Sequence, residues 1–348
     1  MHYQREARAS TCPVCGHWQG EVLYRRSAEE AAQHFVLREV QPERHARLTA
    51  AISRLWNGQE VALVECAGCG FVHAEPHVGG DMDFYTLAYE RTTYPADKWE
   101  FRRSIEAITS DPKLRAIGLE NVRVLELGAG MGHFTRMLVA AGLRPANITC
   151  TDYSEFGRQE IAKLGATALA KDYSALTSDD LPGPIHVACL FQVLEHLDKP
   201  HAVMARFAEI GTPDVKVLAA VPSETRMAFN ELNGSLLDMP PNHVGRYTRK
   251  AFEALAEQGG WRLDALEYEP EGPAPKLKQF VKYRYLREMQ ESGTLANRVE
   301  RMGASPVKSV LRAGLGLAYA ATRAPAAVKL ATSGQLGNSQ WVQLSRRQ

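Results

Sequence analysis

The stretch "VLELGAGMGHFT", residues 124–135, places three glycines at alternate positions directly after a short apolar run. An apolar run followed by glycines predicts a buried strand that turns sharply and lets a ligand approach the main chain. Dinucleotide-binding loops have the spacing G-x-G-x-x-G, whereas Gly128, Gly130 and Gly132 follow G-x-G-x-G. Glu126, two residues before the first glycine, would repel a pyrophosphate and suits a ligand with a cationic amino group.

Apolar segments and helical patterns alternate after this loop. Buried strands that alternate with amphipathic helices predict a parallel sheet covered on both faces, a doubly wound α/β fold. The strands are predicted at residues 123–127, 148–152, 167–170, 186–191 and 215–221, and the helices at 133–141, 156–164 and 201–209.

The C-terminal third continues this pattern and then departs from it. Thr248 is the predicted N-cap of a helix that ends at Gly259 and Gly260, and the strand "WRLDALEY" follows. Residues 272–333 look mostly helical, and "SQWVQLSRR" alternates like a last strand. If these two strands pair, the helical stretch is an insertion in a hairpin. Its apolar run "AGLGLAYAAT" is too short to cross a membrane, so it predicts a buried or dimer-forming helix, with a helix on a membrane surface as the alternative.

Two cysteine pairs near the N-terminus predict a metal site. "CPVC" and "CAGC" supply four thiols, and four thiolates can close a tetrahedron around zinc. The stretch between the pairs is long and reads as a helical insertion, while redox-active thiol pairs are the alternative interpretation. The predicted zinc ligands are Cys12, Cys15, Cys66 and Cys69.

Composition points to a small-molecule partner. The 348 residues carry 41 Lys and Arg against 40 Asp and Glu, a net charge of +1, so the totals do not indicate a nucleic-acid or membrane partner. The polar N-terminus lacks a secretory h-region, and we expect a cytoplasmic protein. The predicted domains are a zinc-binding module over 1–80, an aromatic connector and helix over 81–118, a ligand-binding α/β domain over 119–271, and the helical insertion with the last strand over 272–348.

Polar residues follow the ends of successive predicted strands. Asp152 stands where it could accept hydrogen bonds from two ribose hydroxyls, and Asp172 where it could accept one from an adenine amino group. Gln192, Glu195 and His196 follow the fourth strand. Ligands of open α/β sheets bind along this edge, although an acid at such a place is also a common helix cap.

Together these features resemble class I S-adenosylmethionine-dependent methyltransferases over residues 120 to 270. The cysteine pairs and "MPPNHVGRYT" also resemble a subgroup with a zinc module before the methyltransferase domain, which includes sugar C-methyltransferases and related biosynthetic enzymes. The resemblance implies a Rossmann-like fold, S-adenosylmethionine as cofactor and structural zinc. The implied cofactor-binding residues are Glu126, Gly128, Ala129, Gly130, Gly132, Asp152, Tyr153, Asp172, Tyr173 and Gln192, with Tyr94 reaching over the cofactor from the connector.

Methyl transfer from a sulfonium needs positioning, and a base only where the acceptor must lose a proton. The candidates are His196, in the strand-four motif, and His243 with Tyr247 in "PPNHVGRY"; we prefer His243 as the base. The acceptor would be a sugar nucleotide or natural-product intermediate, methylated at carbon or oxygen. Alternatives are an RNA methyltransferase that reads nucleic acid with its zinc module, and a non-catalytic scaffold that binds the cofactor.

Overall fold

A seven-stranded sheet organises the chain. The computed structural model describes residues 5–347 except 59, 90–94, 233–237, 292 and 334–336. The strand order is β11-β12-β9-β8-β5-β6-β7; the five strands from β9 to β7 are parallel, and β12 is antiparallel to both of its neighbours. These strands are β5 (Val124–Leu127), β6 (Ile148–Thr151), β7 (Thr167–Leu169), β8 (Ile185–Phe191), β9 (Gly211–Pro222), β11 (Trp261–Tyr268) and β12 (Ser339–Arg346).

Helices cover both faces of this sheet, which confirms the predicted doubly wound fold. Successive residues of β8 point to opposite faces: Ala188 and Leu190 belong to one hydrophobic core, Val187 and Cys189 to the other. The first core also contains residues of α8 (Pro200–Ile210) and α10 (Arg249–Gln258); the second contains residues of α4 (Trp99–Ser110), α6 (His133–Ala140) and α7 (Glu155–Ala162). Thr248 caps α10 as predicted, since its side chain accepts a hydrogen bond from the N–H of Ala251.

A second, antiparallel sheet holds the N-terminal part. Its order is β1 (Glu6–Ala9), β2 (Gln19–Ser27), β3 (Glu60–Cys66), β4 (Val72–Glu75) and β10 (Gly245–Arg246). Two helices, α1 (Ala28–Phe35) and α2 (Pro42–Trp56), connect β2 to β3 and form the helical stretch predicted between the cysteine pairs. The edge strand β10 comes from the segment between β9 and α10, so the two sheets are joined through it.

The connector is more regular than its sequence suggested. Residues 70–99 are rich in turn-forming and aromatic residues and have no sustained sequence period, but they contain β4 and the helix α3 (Met82–Ala88), which Asp81 caps through the N–H of Phe84. A further short helix, α5 (Pro112–Ala116), precedes β5. The aromatic residues obscure the helical period of this segment in the sequence. One of them, Phe84, is fully buried in the structure. Tyr94 lies outside the described residues.

The C-terminal strand closes the sheet. β12 pairs with β11 on one side and β9 on the other, so the helices between β11 and β12 are an insertion in a hairpin. They are α11 (Pro273–Gln290), α12 (Leu295–Arg301) and α13 (Pro306–Ser333). Trp341 anchors β12, because its indole N–H donates a 2.8 Å hydrogen bond to Ser104 of α4 and its ring is fully buried. None of the described helices is both long and apolar enough to span a membrane.

Candidate active site

The glycine loop connects β5 to α6 in a conformation that favours glycine. Gly128, Gly130 and Gly132 have φ values of +67°, +55° and +69°, in the left-handed region. A Cβ on Gly128 would lie 2.6 Å from Cγ2 of Val193, and a Cβ on Gly132 would lie 2.8 Å from Cγ1 of Ile161. Ala129 between them is largely buried. The alternate glycines therefore let this loop fold tightly against α7 and against the turn that follows β8.

Asp152 ties the loop to the next strand end. Its Oδ2 accepts a 2.7 Å hydrogen bond from the N–H of Gly130, and its Oδ1 accepts one of 2.8 Å from Ser154. Each carboxylate oxygen can accept more than one hydrogen bond, so this acid can still receive the hydroxyls of a ligand. Burial raises the pKa of Asp152 above its usual value.

Glu126 lies beneath the loop, and only 2% of it is exposed. Its Oε2 accepts a 2.9 Å hydrogen bond from the hydroxyl of Thr135 in α6. Burial raises the pKa of Glu126 to about 8, against the opposing effect of the Thr135 hydrogen bond. A buried carboxyl with so high a pKa would ionise readily only if a cationic group came close.

The acids and tyrosines that follow β6 and β7 meet at the surface. Asp172 caps a short 3₁₀ turn by accepting from the N–H of Ser174, and its other oxygen lies 3.3 Å from the hydroxyl of Tyr153. Tyr153 is 57% exposed, and Tyr173 begins the turn that Asp172 caps. The helix-cap alternative holds for Asp172, whereas the cap of α7 is Ser154 and not Asp152.

Gln192 occupies a strained position directly after β8. Its φ of +59° is left-handed although it is not glycine, and its N–H donates to the carbonyl of Ala220 at 2.7 Å. Its side-chain amide donates to the hydroxyl of Ser339 at 3.2 Å. Strain of this kind needs support from the surrounding structure and is common at functional sites.

His196 lies in a 3₁₀ turn after β8 that comprises Leu194–His196. Its Nδ1 is within hydrogen-bonding distance of the carbonyl of Asn242 and lies 3.0 Å from the hydroxyl of Tyr85. A carbonyl can only accept, so Nδ1 carries the proton and Nε2 presents a lone pair. Burial lowers the pKa of His196 to about 3, so the ring is neutral near pH 7.

His243 lies against His196, with 4.7 Å between the two ring centroids. Its Nδ1 lies 3.1 Å from Oδ1 of Asp238, and Asp238 is paired at 3.1 Å with the guanidinium of Arg226 in α9 (Glu224–Leu232). Burial alone would raise the pKa of Asp238, but Arg226 and His243 hold it below its ordinary value. The 3.1 Å contact is an ion-pair distance without hydrogen-bond geometry, and the charge of Asp238 favours the tautomer of His243 that carries its proton on Nδ1. Asp238 and Arg226 were not found from the sequence, because no local pattern marks them.

Glu195 completes this cluster. It is 1% exposed, and neither of its carboxylate oxygens accepts a hydrogen bond from another described residue. Oε1 lies 4.0 Å from Nε2 of His196, and Glu195, His196 and His243 each offer a ligand atom within 4.8 Å of the others. Burial raises the pKa of Glu195 to about 7.

Tyr247, the third predicted catalytic residue, is placed in the core. It is 1% exposed, and its ring stacks on Phe252 at 4.8 Å and tilts against Phe71 at the same distance. Its buried hydroxyl has no hydrogen-bond partner among the described residues, and burial raises its pKa. The structure thus brings His196 and His243 together and gives Tyr247 a packing environment.

The four N-terminal cysteines converge. Sγ of Cys12 lies 3.7 Å from that of Cys69, and Sγ of Cys15 lies 3.5 Å from that of Cys66. All four sulfurs lie within 4.8 Å of one another, and none is in a disulfide. Four thiolates at 2.3 Å from one zinc ion would be about 3.8 Å apart, so the cluster has the dimensions of a tetrahedral site.

Both cysteine knuckles fold alike and contact the domain that contains the seven-stranded sheet. Gly16 and Gly70, which follow the second cysteine of each pair, have φ values of +74° and +70°. Gln258 donates to the carbonyl of Cys15 at 2.9 Å, and Thr248 donates to that of Cys69 at 2.7 Å. Three of the cysteines belong to the same hydrophobic core as the strands β5 and β8.

Comparisons with known proteins found one family match and several similar solved structures. Residues 96–266 match the family model described as a methyltransferase domain. No curated protein sequence matches the chain. Similar solved structures include a putative sarcosine dimethylglycine methyltransferase from Galdieria sulphuraria, with 17% identity over 71% of this chain and 86% of that one and a TM-score of 0.40.

Two further solved structures are also similar. A magnesium protoporphyrin IX methyltransferase from Synechocystis PCC 6803 with bound SAH has 10% identity over 74% of this chain and 90% of that one, with a TM-score of 0.41. A SAM-dependent methyltransferase from Archaeoglobus fulgidus has 14% identity over 71% and 96%, with a TM-score of 0.40. The family match identifies residues 96–266 as a methyltransferase domain, and the sheet order and the glycine loop of that region agree with the class I fold that the sequence predicts.

Proposed function

We propose that this enzyme methylates a small molecule, a sugar nucleotide or a biosynthetic intermediate, at oxygen or carbon. The observation that carries the proposal is the loop of three left-handed glycines joined to Asp152 by the N–H of Gly130. A loop held so close to the following strand end presents main-chain atoms and a carboxylate to one ligand.

The residues of this edge fit S-adenosylmethionine. Asp152 would accept from the ribose hydroxyls, and Asp172 with Tyr153, Tyr173 and Gln192 would surround the adenine. The buried Glu126, which has a pKa of about 8, would ionise beside the cationic amino group of the methionine part. The cofactor supplies an activated methyl group, so the remaining task of the protein is to orient the acceptor and to remove its proton.

His243 is the preferred group for that proton. Its Nδ1 is held by Asp238, so Nε2 can accept a proton from an acceptor hydroxyl or an acidic C–H while Asp238 stabilises the resulting imidazolium. His196 would orient the acceptor, since its ring lies against that of His243. The turn that carries His196 follows Val193, whose side chain contacts Gly128 of the cofactor loop.

The cysteine cluster would hold structural zinc. Four thiolates leave no open position for a substrate, and the knuckles are bonded to α10 and packed in the catalytic core. The ion would therefore stabilise the second sheet. The edge strand of that sheet, β10, follows His243 closely in the sequence.

The test combines binding with turnover. Calorimetry should show S-adenosylhomocysteine binding and no firm binding of NADH; the reverse result would overturn the proposal. Incubating the enzyme with isotopically labelled methyl donor and a metabolite extract should then label a small molecule, detected by mass spectrometry. Label found in RNA, with salt-sensitive RNA binding in a filter assay, would favour the nucleic-acid alternative.

A further inference from the structure

A buried carboxylate without a hydrogen-bond partner lies beside two histidines in the acceptor region. Burying a polar side chain costs free energy unless it is hydrogen-bonded or coordinated. Glu195 is 1% exposed and has two unsatisfied oxygens, which marks it as a group whose partner is a bound species.

The neighbouring histidines face this carboxylate with nitrogen atoms suited to metal coordination. Nδ1 of His196 is engaged by the carbonyl of Asn242, and Nδ1 of His243 faces the carboxylate of Asp238 at an ion-pair distance of 3.1 Å. Both rings therefore direct an unprotonated Nε2 elsewhere, and that of His196 lies 4.0 Å from Glu195. Metal-binding histidines are typically oriented in this way, by a carbonyl or carboxylate on the other nitrogen.

From these contacts we infer that Glu195, His196 and His243 bind a divalent transition-metal cation. Two imidazoles and one carboxylate suit Zn²⁺, Mn²⁺ or Fe²⁺, and three protein ligands leave coordination positions open. Their ligand atoms, within 4.8 Å of one another, need to move inward by only a small distance to share one ion. This site is separate from the four cysteines.

The inference rests on the proposed function and refines it. An acceptor hydroxyl at an open position would have its pKa lowered by the cation, and its proton would pass to solvent. The oxygen lone pair then forms the bond to the methyl carbon while the C–S bond breaks, and that electron pair returns to sulfur to give neutral S-adenosylhomocysteine. His243 would then serve as a ligand, with Asp238 as its positioning residue.

Manganese binding tests the site without relying on turnover. The full chain is supplied with a single equivalent of zinc, which the four thiolates bind, and is then titrated with Mn²⁺ alone. The free Mn²⁺ ion is followed by electron paramagnetic resonance, because thiolate sites do not favour Mn²⁺. One Mn²⁺ per chain is expected. Glu195→Gln and His196→Ala should each weaken binding more than 100-fold, and Asp238→Asn by about 10–100-fold.

Glu100→Gln is the matched control, since Glu100 is also a buried acid but lies in α4 outside the cluster. It should bind Mn²⁺ as the unaltered chain does. Circular dichroism shows whether each variant folds. If Glu195→Gln does not fold, His196→Ala is used in its place. Absence of Mn²⁺ binding, or equal binding by the cluster variants and the control, would overturn the inference. Methyl transfer without bound cation would leave the proposed function intact, whereas cation binding without transfer to any acceptor would count against that function.

A different observation concerns the insertion α11–α13. Residues 273–333 contain eleven Lys and Arg against three Asp and Glu, so this segment has a net charge of +8 in a chain of net charge +1. α13 contains no acid at all. Basic charge is therefore concentrated in one helical unit.

One face of α13 is apolar and exposed. Val307, Val310, Leu311 and Leu317 are 60%, 70%, 42% and 74% exposed, and their helical spacing places them on one side. Tyr319, on the opposite side, is buried and hydrogen-bonded to Glu288 of α11. The apolar face is thus directed away from the rest of the insertion.

We propose that this face binds a bilayer rich in anionic lipid. An exposed apolar helix face on a strongly basic unit lies in the headgroup region of a bilayer, and the net positive charge of the unit is attracted to anionic headgroups. The same net charge of +8 would oppose the pairing of two copies through this face. A nucleic acid would interact with the basic residues but would leave the apolar residues exposed to water, so it fits this face less well than a bilayer does.

Sedimentation with vesicles tests this second proposal. The chain should bind vesicles of phosphatidylglycerol and phosphatidylcholine at least tenfold more tightly than vesicles of phosphatidylcholine alone, and the double variant Val310→Glu, Leu317→Glu should lose most of that binding. Val40→Glu, at a 68% exposed valine near α2, is the matched control. No vesicle binding, an equal loss in the control, or a dimer that the double variant dissociates would overturn the proposal. So would RNA binding that outcompetes vesicles and survives the double variant.

Discussion

The N–H of Gly130 donates a 2.7 Å hydrogen bond to the carboxylate of Asp152, twenty-two positions further along the chain. This bond joins the loop after β5 to the end of β6, two elements that are neighbours only because the strands are parallel and adjacent. It sets the shape of the loop and places a carboxylate at its rim.

We predict that Asp152→Asn lowers the affinity for S-adenosylhomocysteine by about tenfold or more, or about 1.4 kcal/mol. The amide oxygen can still accept from Gly130, but the amide nitrogen cannot accept from a ribose hydroxyl, and the charge that strengthens such bonds is lost. Isothermal calorimetry measures the change. Asp179→Asn, at an exposed acid, should bind normally; equal affinities in the two variants would remove Asp152 from the cofactor site.

Gly128→Ala should impair both folding and cofactor binding. The φ of +67° is unfavourable for alanine, and the new Cβ would lie 2.6 Å from Val193. We expect a loss of about 1–3 kcal/mol in the free energy of unfolding, measured by denaturant titration. Gly142→Ala separates the two causes, because Gly142 has a φ of +102° and nothing within 4 Å of its Cβ position. Val193→Ala should partly rescue Gly128→Ala, and no rescue would show that the contact with Val193 is unimportant.

Cys66→Ser should abolish stoichiometric zinc binding and destabilise the catalytic domain as well as the N-terminal sheet. Three of the cysteines share a hydrophobic core with β5 and β8, so the loss of stability is not confined to the N-terminal zinc-binding module. Elemental analysis gives the zinc content, and thermal unfolding gives the stability. Cys150→Ser, at a thiol outside the cluster, should retain about one zinc per chain. A zinc-free protein of unchanged stability would contradict the structural role.

The pKa of Glu126 predicts a pH dependence. Burial raises the pKa to about 8 in the folded chain, above the ordinary value of 4.5 that holds when unfolded. The protonated carboxyl therefore favours the folded state below pH 4.5, and this contribution is lost as the pH rises through 8. We expect the free energy of unfolding to fall with pH relative to Glu126→Gln, by up to about 1.4 kcal/mol per pH unit.

Denaturant titrations of the cofactor-free chain between pH 5 and pH 9 test this expectation. Glu43→Gln, at an exposed acid, should follow the unaltered chain at every pH. Parallel curves for the unaltered chain and Glu126→Gln across that range would show that Glu126 ionises normally in the folded protein.

Local chemistry in the sequence determined the elements of the catalytic sheet and the loop at its edge. The strands from β5 to β9 occur in the predicted order along the chain. They could be predicted because apolar runs, helix caps and glycines are local features, each defined by a few neighbouring residues. The cysteine spacing likewise predicted a cluster that the structure brings together. The connector was misjudged, since its aromatic residues pack against distant partners and hide the period of α3.

Tertiary structure alone decided the environment of the acceptor region. Asp238 and Arg226 act on His243 through a fold that brings α9 beside the segment that carries Asp238 and His243, and nothing in their own neighbourhoods indicates this. The burial that leaves Glu195 without a partner and places Tyr247 in the core arises where the two sheets meet through β10. A sequence fixes which groups are available, but desolvation and charge depend on long-range packing, and these determine what each group can do.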